Sequence, residues 1–305
     1  MFNLLFFIVG IILLAIPFFA VFLFHNKKRG FLYVLFFLIS FQTFLALLTQ
    51  LFGIFYYQVI LGCNLLITFV LLIWYFKNKS KFKFNLENGW FKKIDWVVFV
   101  VAIISVLTLL QVHYNYTGKF SMANDVLFQY HQAVNMKYVY PYFSDEWYAV
   151  SLVKESIASH SLPFKNPFDN SFFPDFEVFF HSFVAETMLF FGLDPLTQYT
   201  ALSVFINTII ILLAYLFLRI NNASKFASAI SSLLILYITS ASNLPGIWHL
   251  IPVTMGIIFS LMAFCFLSED NFKMAFFSFL MLVFFYPPLF IFSGLALIIY
   301  FYANQ

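Results

Sequence analysis

Runs of about twenty apolar residues, the length a helix needs to cross the hydrocarbon core of a bilayer, dominate this chain. They occupy 2–24, 31–52, 57–76, 94–112, 199–218, 226–243 and 247–267. A further stretch, 274–303, would measure roughly 45 Å as one helix, but Pro287-Pro288 interrupts it near its middle. Proline lacks the N–H and clashes with the preceding turn, so two shorter or re-entrant helices are expected there. Only 10% of the residues are charged, against about 25% in a soluble domain. That is too little polar surface to cover a globule in water. The expected fold is an all-α polytopic membrane protein with about eight or nine transmembrane helices.

The first run lacks a basic leader and a small-x-small cleavage site, and Lys27, Lys28 and Arg29 follow it. This is a stop-transfer pattern, so 2–24 is read as a retained span. A second basic cluster, Lys77, Lys79, Lys81, Lys83, Lys92 and Lys93, lies two spans later. Both clusters are cytoplasmic if each of the first three helices crosses once. Helix 94–112 then leads out, and the loop after it is extracytoplasmic. The apolar segment 176–193 contains Glu177, His181 and Glu186. Reading it as an interfacial helix puts Arg219, Lys225 and Lys273 inside as well, leaving only Lys119, Lys137, Lys154 and Lys165 outside. That obeys the positive-inside rule better than a crossing would.

Polar chemistry collects in the first outer loop, 113–198. It holds nine of the thirteen acids, from Asp125 to Asp194, and four of the six histidines. Within it, Ser144-Asp145-Glu146-Trp147 opens an expected amphipathic helix that ends before Pro163. Ser144 suits an N-cap, and two acids in the first turn complement the helix dipole. Ala149, Val153 and Ile157 form an apolar stripe opposite Ser151, Glu155 and Ser159. On the residues alone, Asp145 and Glu146 read first as helix-start stabilisers and second as reactive carboxylates. The two cysteines, Cys63 and Cys265, lie inside apolar runs and predict no disulfide. The small net charge of +3 offers no footprint for nucleic acid.

The order of these features resembles the GT-C superfamily of membrane glycosyltransferases, of the protein O-mannosyltransferase and lipid A aminoarabinose transferase type. The resemblance covers roughly 90–270. A span preceded by Lys92-Lys93 leads to the acidic pair of DEWYAVSLVKESIASHSLPFKNPF, 145–168. Phe172-Phe173-Pro174, a GLDP turn at 192–195, and a span ending in Arg219 follow. It implies an N-terminal three-helix segment, 1–93, before a GT-C-like core, 94–305, that is expected to be incomplete at its C-terminus. It implies a sugar moved from a polyprenyl-phosphate carrier to an acceptor on the extracytoplasmic face of a bacterial plasma membrane. Asp145 would be the base that takes the acceptor's proton, or would help hold a divalent metal, with Glu146 orienting it. The cofactor stays open. The later loop 242–249 carries no acid, which argues against a complete metal site. Lys154 and Lys165 are candidate phosphate contacts, though solvated loop lysines are the commoner case. His181 and His249 are candidate rim residues, read first as interfacial anchors. The bilayer and the lipid-linked sugar are the expected partners. The competing classes are a noncatalytic homologue or subunit and a transporter, the latter expected to bury charge within its spans.

Overall fold

A computed structural model describes residues 5–13, 30–77, 95–114, 119–124, 127–132, 144–166, 169–237 and 249–303. The described chain is helical apart from one hairpin, in which β1 (Lys119–Asn124) pairs antiparallel with β2 (Leu127–Gln132). In chain order the helices are α1 (5–13), α2 (Gly30–Leu51), α3 (Tyr57–Lys77), α4 (Trp96–Tyr114), α5 (Ser144–Ser159) and α6 (Val178–Phe191). They continue with α7 (Pro195–Ile220), α8 (Lys225–Leu234, extended by a 3₁₀ turn to Tyr237), α9 (Pro252–Leu267), α10 (Phe272–Phe285) and α11 (Pro287–Ala303). Three of these, over Gly30–Leu51, Tyr57–Trp74 and Pro195–Ile220, are long and apolar enough to cross a membrane by length and composition, and several shorter apolar helices accompany them. Phe37, Leu66, Phe69, Ile103, Leu107 and Ile299 point their side chains outward. That pattern suits lipid as the surrounding solvent.

Local chemistry sets the boundaries. Asp194 caps α7 by accepting from the Leu196 N–H (3.1 Å), with Pro195 at the first helical position. Ser224 caps α8 through the Ala227 N–H (3.1 Å). Gly192 ends α6 in the left-handed conformation, φ 64°, as a C-terminal stop requires. The expected break before Pro287 falls at Tyr286, between α10 and α11. Gly256 of α9 lies against this break. A Cβ there would stand 3.1 Å from the Tyr286 Cβ and 3.2 Å from Leu289, so glycine permits the close approach.

Contacts along the helices fix which ends lie together. Tyr33 meets Phe266 and Phe36 meets Phe259, so α2 and α9 run antiparallel. The Tyr199 hydroxyl donates to the Leu250 carbonyl (2.6 Å) near the start of α9, and Asn221 donates to Ser268 (3.2 Å) near its end, so α7 and α9 run parallel. One end of the bundle is therefore basic. There Asp95, before α4, meets Lys225 (3.3 Å) and Arg219 (3.6 Å) and accepts from the Tyr215 hydroxyl (2.7 Å). Burial pushes the Asp95 carboxyl up, but Tyr215, Lys225 and the Val97 N–H together hold it below the usual range. The opposite end carries α5 and the carboxyls of Asp145, Glu146, Asp175 and Glu177.

Helix α5 runs across that acidic end. Glu146, near its start, is bonded to the residues that open α9. His160, just past its end in the left-handed region (φ 55°), bonds the Phe55 carbonyl (2.9 Å) and packs its ring, tilted by 33°, against Tyr56 (centroids 3.9 Å) in the α2–α3 turn. Helix α6 lies beneath it, packed against α2, α3, α5 and α10. Here the structure departs from the expected interfacial helix. Residues 180–188 of α6 are all buried, His181 and Glu186 included. A helix apolar on every side is buried on every side, and charge counting cannot show that α5 covers it.

The uncharged polar residues of the spans face protein. The Gln42 Nε2 donates to Asn64 Oδ1 (2.7 Å) between α2 and α3, and Asn64 also donates to the Ile60 carbonyl (3.0 Å). Ser182 donates to Gln50 Oε1 (2.5 Å), tying α6 to α2. Asn207 bonds within α7 to the Ser203 carbonyl (2.9 Å). Cys63 and Cys265 are both free, as the sequence suggested. Interhelical polar pairs of this kind contribute about 0.6 kcal/mol on average and about 1–2 at most. Asn64→Leu, which strands the Gln42 amide, is therefore expected to destabilise the α2–α3 pair by about 1–2 kcal/mol. The double replacement Gln42→Leu/Asn64→Leu should recover most of that loss, as read by thermal unfolding in detergent.

Candidate functional site

The acidic end brings four elements together: the start of α5, the turn before α6, the segment entering α9 and the α10–α11 break. Asp145 and Glu146 are adjacent in the first turn of α5 but have opposite surroundings. Asp145 is exposed, while Glu146 is 1% exposed. A helical turn explains the difference. Glu146 continues the stripe of Ala149, Val150 and Val153, all buried, so it points inward and Asp145 does not. The Glu146 carboxylate is bonded on both oxygens. Oε1 accepts from the Leu250 N–H (2.9 Å) and Oε2 lies 3.2 Å from His249 Nδ1.

A second carboxylate–imidazole pair lies at the start of α6. Asp175 Oδ2 is 2.6 Å from His181 Nδ1, and Asp175 Oδ1 accepts from the Glu177 N–H (2.9 Å). Both members of the pair are buried. Glu177, half-buried, precedes α6. Burial raises its carboxyl above the usual range; Asp175 and Asp145 raise it further, against a lowering influence from His181. Tyr286, in the helix break, is raised by burial and then by Glu177 and Asp145. Tyr148 of α5 is raised by burial and then by Asp175 and Glu177. Asp145, Glu177, Tyr148 and Tyr286 thus share one electrostatic neighbourhood, and the two phenols remain hydrogen-bond donors well above neutral pH.

The sequence candidates separate on this frame. Asp145, Glu146, His181 and His249 come together. His181 and His249 are not interfacial anchors, because each is buried against a carboxylate. Lys154 and Lys165 do not join them. Lys154 is exposed nine residues beyond Asp145, roughly 13.5 Å along α5 and half a turn round. Lys165 is exposed in a short loop bridged to Phe172. A groove beside Asp145 was expected. A cavity of about 380 Å³ lies at the far end of α5, lined by Phe6, Lys154, Ile157, Met188 and Leu189 among others. Among the described residues, no group of three or more His, Cys, Asp or Glu side chains is placed to hold a metal ion. Tyr138, Tyr140 and Tyr142, candidate sugar-stacking residues, lie outside the described residues, as does the Asn115–Thr117 sequon.

Sequence reading missed Asp175, Glu177, Tyr148 and Tyr286 as a group. For Glu146 the signal was present: it falls in register with Ala149 and Val153, which marks it as the inward acid of the pair. Asp175 and His181 are six apart across a turn and a helix start, a spacing without periodic meaning.

Glu146→Ala removes both acceptors and leaves the buried Leu250 N–H unpaired, a loss of about 1–3 kcal/mol. Asp145→Ala breaks neither of these bonds and should lower the melting temperature by less. Thermal unfolding of the two variants side by side checks this. Comparison with family models, with curated proteins and with solved structures finds no match to this chain.

Proposed function

We propose that this protein is a membrane transferase of the GT-C kind, moving a sugar from a polyprenyl-phosphate carrier to an acceptor on the extracytoplasmic face. The observation that carries the reading is the division of labour in the acidic pair. Glu146 is fixed to the entrance of α9, and Asp145 beside it is exposed at the start of a helix laid across the bundle. A carboxylate so held takes the acceptor's proton as the acceptor attacks the anomeric carbon and the carrier phosphate departs, a role with an effect of about 10²–10⁴-fold. Glu146 acts as the positioning residue.

The accompanying topology has eight or nine spans, with the acidic end outside and the basic end in the cytoplasm. The separation of Asp145, Asp175 and Glu177 from Arg219, Lys225 and Lys273 supports it. Cysteines introduced at 120 and 222 read the two sides: outside labelling of intact cells should reach Phe120→Cys and not Asn222→Cys. Labelling at 222 would overturn the orientation.

Asp145→Asn keeps the shape of the side chain and removes its basic oxygen. Transfer from a labelled polyprenyl-phosphate sugar by purified protein should fall by at least about 10²-fold with unchanged insertion and melting temperature. Full activity in Asp145→Asn would falsify the assignment, and an inactive wild type would favour a noncatalytic homologue. One observation supports a second reading, a transporter. Glu186 is 1% exposed and its Oε1 has no hydrogen bond. Buried ionisable groups of this kind often mark ion or proton pathways. Transport abolished by Glu186→Gln, in a protein indifferent to Asp145→Asn, would select that reading.

A further inference from the structure

We propose that the cavity at the far end of α5 takes one acyl chain of an anionic phospholipid, whose phosphate rests on the Lys154 ammonium. This site is separate from Asp145, and lipid held there is independent of the transferase reading.

The cavity, about 380 Å³, falls within the range of roughly 300–1,000 Å³ common to small-molecule sites. Four helices meet around it. Phe6 of α1, Ile157 of α5, and Met188 and Leu189 of α6 give it apolar walls, and Pro195 at the start of α7 closes one side. Met188 is wholly buried, whereas Lys154 and Ala158 are exposed, so the floor lies on α6 and the mouth lies along α5. Lys154 is the one charged side chain among the lining residues, and the others carry no polar side-chain atom. Among the described residues no hydrogen bond or ion pair engages its ammonium. The carboxylate next to Pro195 is already committed, because Asp194 accepts from the Leu196 N–H (3.1 Å) and from the Thr197 hydroxyl (3.0 Å).

The level of the mouth decides the class of ligand. Phe6 stacks on Tyr57, the first residue of α3 (centroids 3.9 Å, planes 6° apart), and the Thr68 hydroxyl donates to the Leu13 carbonyl (3.3 Å). Helix α1 therefore runs alongside α3, and both begin at the cavity. Helix α3 is long and apolar enough to cross a membrane, so its first turn stands where hydrocarbon gives way to headgroups. Lys154 is held near that level, since α5 ends at His160 on the α2–α3 turn, roughly 9 Å further along the helix. There a lysine lays its stem on apolar surface and keeps its ammonium among polar groups. An apolar recess beneath a single cation matches a hydrocarbon chain that carries one phosphate charge. A sugar or nucleotide would find no hydrogen-bonding side chain in the recess beyond Lys154 and would be stripped of water without return.

Native mass spectrometry of the detergent-solubilised protein reads the site, with phosphatidylglycerol and phosphatidylcholine of identical chains as probes. The wild type should retain phosphatidylglycerol in preference to phosphatidylcholine. Lys154→Gln should weaken that preference by about fivefold, the effect of one lysine beside an anionic headgroup. Lys165→Gln removes another exposed lysine, one that does not line the cavity, and should change nothing. Ala158→Trp sets a large ring at the exposed rim, where the fold accommodates it, and Leu189→Trp narrows the recess from α6. Each should lower phosphatidylglycerol retention, and Ala158→Trp should do so at an unchanged melting temperature. Equal retention of the two lipids by the wild type, an equal loss in Lys165→Gln, or undiminished retention in both tryptophan variants would overturn the proposal. Displacement of phosphatidylglycerol by an equal concentration of polyprenyl phosphate would overturn it too, by giving the recess to the carrier. Transfer activity enters none of these readouts, so their failure leaves the transferase reading standing.

Discussion

Glu146 carries a polar group into a place almost closed to water, and a buried carboxyl is tolerated only when its oxygens are satisfied. It meets that condition with the Leu250 N–H and the His249 imidazole, groups that belong to another part of the chain. The bond cannot form unless the segment entering α9 lies beside the start of α5. Once it does, α5 has one fixed point at α9 and, through His160 on Phe55 and Tyr56, a second at the α2–α3 turn. The exposure of Asp145, the covering of α6 and the meeting of Glu177 with Tyr148 and Tyr286 all depend on α5 lying in that line.

The two ends of the bundle are built on different electrostatics. At the basic end, Asp95 is shared among Arg219, Lys225 and Tyr215, with solvent at hand and long side chains to spare, so the cluster can rearrange at small cost. At the acidic end Glu146 and Asp175 have short, directed partners, each including a buried imidazole. The contrast is between an end whose ion pairs are partly exposed and an end whose Glu146 and Asp175 carboxyls are fixed in one geometry.

How far this could be read beforehand differs between levels. The apolar runs gave helix positions closely, because length and hydropathy determine what can cross lipid: 31–52 appears as Gly30–Leu51, 57–76 as Tyr57–Lys77, and the double proline marks the α10–α11 break. The start of α5 at Ser144 was equally plain from its acids and stripe. The burial of α6 was not legible, since its apolar faces would suit lipid, the interface or a protein interior alike, and only the position of α5 decides among them. The site was half legible. Asp145, Glu146, His181 and His249 were singled out for their chemistry, yet their pairings join residues across 103 or more positions, or across a turn without periodicity. Lys154 shows the reverse error. Its charge made it a candidate phosphate contact, and helix geometry turns it away from Asp145.

The double anchoring of α5 also has a consequence in time. A chain inserted from its N-terminus makes α2, α3 and α5 well before α9 exists, and the contacts at the two ends of α5 reach 105 residues back to Phe55 and 104 residues ahead to Leu250. The backward contact can form first, leaving α5 hinged at His160 with Glu146 still in water. Only when α9 has entered does a backbone N–H arrive to receive that carboxylate. Biosynthesis therefore finishes the acidic end late, and a ribosome paused before residue 250 holds a protein with most of its helices made and the contact between α5 and the α9 entrance still unformed.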